Sequence, residues 1–590
     1  MSLNQELAEL FRTLAAILEI KGEPVFKSIA FTRVARILDN MTVDIRQAVE
    51  AGTLGQIEGV GKSSQKIIEE YVRTGRSRDF EEAAATVPAG LLPMLQVPGL
   101  GPKTIALLWK ERGITNLQEL SEAIAQGKLA GLRGIGQKKI EQIRHGLELR
   151  EQASRRIFIA DALPLAEAML EPLKKVPGVQ QADIAGSLRR GRETIGDLDL
   201  IAGVSDDAVM GQVADVFTNL PEVKRVLAHG PTRCSVLTSS GVQVDLRIVP
   251  VEHFGAALQY FTGSKEHNVR LRGLALEKGL TLNEWGLYRI DEYDREKKET
   301  ARPPAVKALA SQTEAAIYSA LGLPLIPPEL REDRGEIEAA AAGKLPVLIE
   351  RREIRGDLHC HTTASDGTAS IEQMARAAQA MGYQFLAITD HSKSQVVANG
   401  LSAQRLLEHA AAIRATGERL KGITLLAGCE VDILADGRLD FEDDVLKELD
   451  FVVASPHVSL RQDTKKATER LLRAIEHRYV NVIGHPTGRL IHQRDGLPLD
   501  FSRIFDAAAR TGTALEINCG YPRLDLSDIA ARAAVAAGCK LSINTDAHSV
   551  EGFEAIRFGV QAARRAWVTA DDVINCMTPA RLRDFISRKR

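Results

Sequence analysis

A series of short apolar segments in the second half of the chain constrains its fold more than any other feature. Each segment leads into a histidine or a carboxylate, and alanine-rich helical patterns such as Ile371–Met381 and Phe501–Thr511 separate them. Strands that alternate with helices predict a parallel sheet, here closed into a (β/α) barrel. The predicted strands are Phe385–Thr389, Thr424–Cys429, Phe451–Pro456, Val480–Gly484 and Lys540–Thr545.

The residues at the ends of these strands predict a site for several metal ions. Side chains at the carboxyl ends of barrel strands converge at one mouth. A single histidine there is usually structural, but here nine residues repeat the pattern. Imidazole and carboxylate ligands favour Zn²⁺ or Mn²⁺ over Mg²⁺, and neighbouring ions activate a water towards a phosphate ester. The nine candidates are His359, His361, Asp366, His391, Glu430, His457, His485, Asp546 and His548.

A second group of carboxylates lies nearer the amino terminus. Asp197 and Asp199 are two residues apart in a strand-like run, so both point to one face. Asp245 is the central polar residue of a second alternating strand, Val242–Ile248. Three converging carboxylates suit a pair of Mg²⁺ or Mn²⁺ ions, which activate an attacking oxygen and stabilise a leaving pyrophosphate.

A glycine-serine turn precedes this carboxylate pair. An Asp-x-Asp pair alone is common on exposed strands, but Gly186, Ser187 and Arg190 stand shortly before it. A hydroxyl, backbone amides and a guanidinium suit a grip on triphosphate oxygens. The combination therefore favours a nucleotide site over a solvated strand.

Three repeats before residue 150 predict contacts with a phosphate backbone. Each is a Gly-x-Gly turn that leads into a helical pattern and resembles the helix-hairpin-helix motif, which holds DNA without reading its sequence. Ordinary glycine-capped helix packing is the alternative, and three copies argue against it. The glycines are Gly59, Gly61, Gly99, Gly101, Gly134 and Gly136.

Composition excludes some classes of protein but does not indicate a binding partner. The chain has 590 residues, 44% of them hydrophobic, and a net charge of −2. These values exclude a mainly disordered chain and show no broad basic surface. No run of about 18 apolar residues predicts a membrane span. Six cysteines without a Cys-x-x-Cys pair are expected to be reduced thiols, and the amphipathic amino terminus predicts a cytoplasmic protein.

The region from Gly186 to Asp245 resembles a nucleotidyltransferase palm, and the match extends further. Tyr260–Asn268 and Glu277–Glu284 resemble the thumb of family X DNA polymerases such as DNA polymerase beta. The resemblance covers residues 1–325 and implies that the three aspartates are catalytic and bind the metal ions. Arg272 matches a residue that faces the template strand. Positions that contact the incoming nucleotide fall on Ser187, Arg190, Gly196, Tyr260, Phe261, Lys265 and Asn268.

The sequence departs from this family at the position of a catalytic lysine. In DNA polymerase beta a lysine after the first Gly-x-Gly turn forms a Schiff base with a deoxyribose phosphate. Gap-free alignment puts Ile67 at that position, with Lys66 one residue earlier. Since isoleucine cannot form an imine, a lyase activity is not predicted unless Lys66 or Lys62 substitutes.

The histidine-rich half resembles the PHP (polymerase and histidinol phosphatase) domain. All nine family ligand positions are filled by the residues named above, which argues against an inactive remnant. Asp357 and Asp390 are expected to orient neighbouring histidines. His409, His477 and His492 follow no strand and are interpreted as surface residues.

These observations predict a multidomain α+β and α/β protein. Its parts are a helical region with helix-hairpin-helix motifs, a palm with a mixed sheet, a thumb and a distorted (β/α) barrel. The predicted domains are 1–85 (lyase-like helical), 86–152 (fingers), 153–252 (palm), 253–325 (thumb), 326–352 (linker) and 353–590 (PHP phosphoesterase).

The resemblance to bacterial family X polymerases implies two activities. They are gap-filling DNA synthesis in base excision repair and a metal-dependent 3′-5′ exonuclease. The expected partners are gapped DNA and dNTPs, with Mg²⁺ or Mn²⁺ at the palm, three Mn²⁺ or Zn²⁺ ions in the barrel, and a monomeric state. The alternatives are a PHP domain that hydrolyses a small phosphate, and a non-catalytic scaffold that binds DNA ends.

Overall fold

The computed structural model describes residues 3–589 apart from a few short gaps. The gaps are residues 41–44, 58, 98–99, 130–131, 133–134, 138, 142, 145–146, 148–155, 294–305, 397, 492–493 and 495. Two compact units form: one holds Met1–Arg156, Ser240–Val242 and Val269–Leu274, and the other holds the remaining residues.

The first unit is helical and has two apolar cores. One core surrounds Phe11 and Ile68, and the other surrounds Leu108 and Ile143. Two of the predicted glycine turns lead directly into helices, because Gly61 and Gly101 are the residues before Lys62 and Pro102. The helices of this unit include Leu3–Lys21, Val25–Asn40, Ile45–Glu50, Lys62–Thr74, Arg78–Ala84, Pro102–Arg112 and Leu117–Ala125, with 3₁₀ turns at Leu54–Gln56, Ala89–Leu91 and Pro93–Gln96.

The second unit begins with a mixed five-stranded sheet. The strands of this region are β1 (Ile157–Phe158), β2 (Val179–Ile184), β3 (Thr194–Ile195), β4 (Asp197–Val204), β5 (Val223–Ala228), β6 (Arg233–Thr238) and β7 (Gln243–Pro250). The sheet order is β2-β4-β7-β6-β5, and only the central pair β4 and β7 is parallel. Helices Ile159–Lys174, Gly186–Arg189 and Met210–Thr218 accompany the sheet. This is the mixed sheet that the sequence predicted for the palm.

Helices and a hairpin follow the sheet. They are Phe254–Thr262, Lys265–Glu277, Ile290–Tyr293 and Glu314–Ala320, with β8 (Leu280–Asn283) and β9 (Gly286–Arg289). The next segment, predicted as a linker, is packed rather than extended: it contains the helix Glu336–Ala341 and 3₁₀ turns Pro328–Leu330 and Arg351–Glu353. Arg331 is fully buried and donates to Glu314, and Glu336 Oε1 lies 2.6 Å from His267 Nδ1. These charged side chains of the segment therefore have partners within the protein.

The last 235 or so residues form the predicted barrel, with seven parallel strands in chain order. The strands are β10 (Gly356–Asp357), β11 (Phe385–Ile388), β12 (Thr424–Asp432), β13 (Phe451–Ser455), β14 (Val482–Ile483), β15 (Ala514–Asn518) and β16 (Leu541–Asn544). The helices are Ile371–Ala380, Ala403–Arg419, Asp443–Leu446, Thr464–Glu476, Phe501–Thr511, Asp528–Ala536, Ile556–Arg565 and Pro579–Ser587. The edge strands meet through a bridge between Cys360 and Ala547, which nearly closes the barrel.

The interior of the barrel is filled by large side chains and sealed by the last helix. Phe385, Phe451 and Val453 belong to one buried cluster with Leu582 and Ile586 of the helix Pro579–Ser587. The barrel interior is therefore a packed core. None of the helices in the described part of the chain has the length and apolarity that a membrane crossing requires.

Candidate active sites

The barrel mouth gathers all nine predicted metal ligands. Glu430 lies within β12, and the other ligands follow strand ends: His359, His361 and Asp366 follow β10, His391 follows β11, His457 follows β13, His485 follows β14, and Asp546 and His548 follow β16. Ligand atoms lie within 4.8 Å of one another in three groups. The groups are His361, Asp366, His391 and His548; His359, His361 and Asp546; and His391, Glu430 and His457. His485 joins them because its Nε2 is 3.0 Å from Glu430 Oε1.

The donor atoms of this cluster suit cations. Among the described residues, five of its buried atoms lack a hydrogen bond of good geometry: His359 Nε2, His361 Nδ1, His391 Nδ1, Glu430 Oε2 and His485 Nδ1. Unpaired polar atoms are costly in the interior of a protein, and their number at one mouth fits bound metal ions. The sharing of His361 and His391 between groups fits neighbouring ions.

Burial and mutual charge set the protonation of these side chains. Burial lowers the pKa of His361 and of His485 to about 4, so both rings are neutral at physiological pH and offer a lone pair. Burial opposes ionisation of Glu430, but the charges of His457 and His359 outweigh it and hold the pKa of Glu430 well below its usual range. His361 and His485 are thus neutral imidazoles beside an ionised carboxylate, which is the state in which these three side chains bind a metal ion.

Two carboxylates that the sequence analysis missed orient these histidines. Glu516 Oε1 lies 2.8 Å from His359 Nδ1, and Asp432 Oδ1 lies 2.5 Å from His457 Nδ1. Each contact fixes a ring so that its Nε2 faces the cluster. The sequence carried a signal for Glu516, which is a charged residue in the middle of the otherwise mostly apolar, buried strand β15.

The residues expected to support the histidines act differently. Asp357 accepts hydrogen bonds from the backbone of His359 (3.1 Å) and from Thr545 Oγ1 (2.6 Å), so it fixes the main chain rather than a ring. Asp390 Oδ2 lies 2.8 Å from Nε2 of His409, whose side chain is only 10% exposed. The interpretation of His409 as a surface residue is therefore wrong, because its side chain is largely buried and contacts a buried carboxylate.

Two other histidines were also predicted to be surface residues. His477, which is far in sequence from the strand ends, is 27% exposed, and its Nε2 lies 3.1 Å from Asp443 Oδ1. His492 lies outside the described residues.

The palm brings the three predicted aspartates to one face of two adjacent strands. Asp199 of β4 lies directly opposite Asp245 of β7, and Asp197 is two residues before Asp199. Burial raises the pKa of Asp199 to about 7, and the charges of Asp197 and Asp245 add to the shift. This repulsion, together with hard oxygen donors on one face, fits the binding of divalent cations.

Glycine is required beside this carboxylate group. Gly186 has φ +62°, and a Cβ there would lie 2.1 Å from Asp199 Oδ2. Asp245 is held by Ser235, whose hydroxyl donates to Oδ1, and by Gln243 Nε2 at 3.1 Å from Oδ2. The turn and the carboxylates therefore form one packed arrangement.

The first three residues predicted to bind the nucleotide lie in the chain segment before β4. Ser187 lies in the turn of the helix Gly186–Arg189, and Gly196 lies between β3 and β4. Arg190 is already engaged: its Nε is 3.0 Å from Glu332 Oε1 and its Nη1 is 2.5 Å from the carbonyl oxygen of Thr262.

The predicted sugar and base contacts lie on two successive helices. Tyr260 and Phe261 end the helix Phe254–Thr262, with ring centroids 5.2 Å apart. Lys265 begins the next helix and is exposed. Asn268 donates to the carbonyl of Tyr260 (2.7 Å), so it supports the aromatic pair in this structure.

The predicted DNA contacts are only partly within the described residues. Gly59, Gly61, Gly101 and Gly136 are exposed, whereas Gly99 and Gly134 fall outside the described residues. Arg272 is exposed on the helix Lys265–Glu277. At the position where the sequence lacks the family's catalytic lysine, Ile67 is buried. Its neighbour Lys66 is exposed, and the Lys66 Nζ lies 3.1 Å from Asp79 Oδ1.

Four family descriptions match the chain. They are DNA polymerase beta thumb (residues 257–332), PHP domain (357–519), helix-hairpin-helix domain (2–77) and SAM-like helix-hairpin-helix tandem (91–151).

Similar curated proteins fall into two groups. The DNA polymerase/3′-5′ exonuclease PolX of Bacillus subtilis (strain 168) is 39% identical over 587 residues, which are 99% of each chain. A probable phosphatase of Thermoanaerobacter sp. (strain X514) is 29% identical over 247 residues, 40% of this chain and 95% of the relative. A probable phosphatase of Acetivibrio thermocellus is 32% identical over 166 residues, 28% of this chain and 64% of the relative. Since the first match runs end to end and both aspartate and histidine centres are assembled, the chain belongs to the PolX family, the family X DNA polymerases with a carboxyl-terminal PHP domain.

Proposed function

We propose that this protein is a DNA-directed DNA polymerase that fills short gaps in base excision repair and a metal-dependent 3′-5′ exonuclease. The proposal rests above all on two separate centres in one chain: three aspartates in the palm, and a cluster of histidines and carboxylates in the barrel. The end-to-end similarity to a bifunctional relative supports the same pairing of activities. The proposal includes DNA and dNTPs as substrates, a monomeric state and a cytoplasmic location.

In the palm, Asp197, Asp199 and Asp245 would hold Mg²⁺ or Mn²⁺. When bound, these ions supply positive charge for the attacking oxygen and for the leaving pyrophosphate. Asp245 is fixed by Ser235 and Gln243, so its oxygens are held before substrate arrives.

The turn beside the aspartates would hold the triphosphate. Ser187 offers a hydroxyl and Arg190 a guanidinium, and Gly196 lets the chain pass close to the phosphates. Arg190 must exchange its contact with Glu332 for one with phosphate. Tyr260, Phe261, Lys265 and Asn268 would contact the sugar and base, while the exposed hairpin glycines and Arg272 would hold the DNA backbone.

In the barrel, the nine mouth residues would hold three Mn²⁺ or Zn²⁺ ions. When bound, these ions supply an activated water and neutralise the charge of the phosphodiester. Glu516 and Asp432 keep His359 and His457 in one orientation, which limits the reorganisation needed at each turnover.

Separation of the two activities tests the proposal. Wild type, Asp197→Ala and His359→Ala are compared on a 5′-labelled primer in one-nucleotide-gapped DNA with Mn²⁺, with and without dNTPs. Asp197→Ala should abolish extension and keep shortening, and His359→Ala should do the reverse. Asp161→Ala and His229→Ala, on exposed positions, serve as matched controls. Loss of both activities from either active-site change in a folded protein would refute two independent centres.

A second function for the barrel has support of its own. The probable phosphatases match 247 and 166 residues of this chain, about the length of the barrel or less, so a small phosphomonoester is an alternative substrate. Release of inorganic phosphate from a nucleotide, without shortening of the labelled primer, would favour this alternative over the exonuclease.

A further inference from the structure

The loop that follows the nucleotide turn is bound by a side chain of the barrel half. Arg565 ends the helix Ile556–Arg565, and its side chain is only 2% exposed. Its Nη1 donates to the carbonyl oxygen of Arg190 at 2.7 Å and to Glu332 Oε1 at 2.8 Å. Its Nη2 donates to Asp528 Oδ2 at 2.9 Å. A guanidinium from the nuclease half therefore holds the main chain of a residue predicted to bind triphosphate.

The same carboxylate oxygen connects both arginines. Glu332 Oε1 accepts from Arg190 Nε at 3.0 Å as well as from Arg565. Arg192 adds a third positive charge, with Nη1 3.7 Å from Glu332 Oε2. Because one carboxylate is shared by three cations, its hold on Arg190 is weaker than in an exclusive pair. Arg565 thereby competes with the Arg190 side chain for Glu332 while it fixes the Arg190 backbone.

The next residues of the loop are also fitted against the barrel half. Gly191 has φ +70°, and a Cβ there would lie 2.4 Å from Gln561 Cγ. Glu193 pairs with Arg489, at 2.5 and 3.2 Å. Arg489 belongs to the segment after His485, and it also donates to the carbonyl oxygen of Leu524. Contacts on four successive residues leave the loop little freedom to shift.

We propose that Arg565 is a positioning residue of the polymerase site, acting through Arg190 and Glu332 on the incoming triphosphate. The inference rests on the proposed function, because it requires Arg190 to bind a nucleotide. Without Arg565, the carbonyl of Arg190 loses its donor, and Glu332 pairs more exclusively with the Arg190 guanidinium. Both changes weaken the grip on triphosphate and leave Asp197, Asp199 and Asp245 in place.

The test is single-nucleotide insertion on gapped DNA with a dNTP titration. Arg565→Met should raise KM for dNTP about tenfold, the effect of one lost charge-assisted hydrogen bond, with kcat within about twofold of wild type. Arg565→Lys keeps a donor and should restore most of the KM. Arg564→Met is the matched control, because Arg564 contacts Glu329 and the carbonyl of Ile349 instead of the loop.

Exonuclease rate and melting temperature are measured on the same preparations. An unchanged KM in folded Arg565→Met would overturn the inference, as would a parallel loss of exonuclease, which indicates general loosening. If Arg565→Met does not fold, Arg565→Gln replaces it: this variant keeps an amide donor in the buried position but loses the positive charge that Arg565 shares with Glu332, so KM for dNTP should still rise. An unchanged KM in this variant would overturn the inference, whereas a wild-type protein that never extends a primer would refute the proposed function itself.

Discussion

The substitution Glu516→Gln should disable the nuclease centre without touching a predicted metal ligand. Glu516 is fully buried in β15, and its two oxygens each accept two hydrogen bonds. The donors to Oε1 are His359 Nδ1 (2.8 Å) and Asn544 Nδ2 (2.8 Å), and the donors to Oε2 are the backbone N–H of His485 (2.6 Å) and Asn518 Nδ2 (3.2 Å). Glutamine replaces one oxygen with an amino group, which donates. Two of the four donors therefore lose their acceptor in either orientation of the amide.

The size of the effect follows from this count. Each buried donor without a partner costs about 1–3 kcal/mol, so two should lower the free energy of unfolding by about 2–6 kcal/mol. His359 also loses the carboxylate that orients its ring, and loss of such a partner lowers metal affinity about 10- to 100-fold. Chemical unfolding and a Mn²⁺ titration of exonuclease rate measure the two quantities.

The control for this prediction is the same glutamate-to-glutamine substitution at an exposed position. Glu476→Gln changes a glutamate that is 53% exposed and pairs with Arg510, and it should leave both quantities unchanged. Nucleotide insertion by Glu516→Gln should remain measurable. Wild-type Mn²⁺ dependence together with wild-type stability in Glu516→Gln would refute the reasoning.

Three further substitutions test other parts of the chain. Gly186→Ala should lower nucleotide insertion by about 100-fold and spare the exonuclease, because the added Cβ displaces Asp199; equal rates in a primer-extension assay would contradict this. Asp199→Asn should stabilise the metal-free protein at pH 7.5 but not at pH 4. The pKa of Asp199 is raised to about 7, so the stability of the wild-type protein falls as pH rises from 4 to 7, by at most about 4 kcal/mol. Chemical unfolding in EDTA at both pH values measures the difference between variant and wild type. An equal gain in stability at pH 4 would count against the prediction. Leu582→Ala should cost about 2–5 kcal/mol by opening the barrel core and should lower the temperature at which exonuclease is lost, whereas Leu407→Ala, at a partly exposed position, should not.

The barrel could be predicted because its strands are buried on both faces. Segments such as Phe451–Ser455 are uninterrupted apolar runs, and the polar residue that follows marks the strand end. The strand Ala514–Asn518 was not predicted, because Glu516 and Asn518 interrupt its apolar pattern. Both polar residues face the metal-ligand cluster, so the positions that interrupt the apolar pattern belong to the candidate site.

Long-range polar contacts could not be predicted from local pattern. His409 lies in a helix, and only the fold brings it to Asp390, 19 residues earlier. The contact of Arg565 with Arg190 joins residues 375 positions apart and has no periodic signal. Spacing along the chain indicated the candidate site residues, whereas the partners that orient them are brought to the site only by the fold.

The helix that seals the barrel interior also fixes an order of events during synthesis of the chain. Leu582 and Ile586 are translated after every residue of the metal-ligand cluster, which extends from His359 to His548. Domains fold from the amino terminus as they emerge, so the helical unit and much of the palm can form before the barrel is complete. A nascent chain that has not reached Leu582 therefore carries an unsealed barrel beside a palm that is already translated.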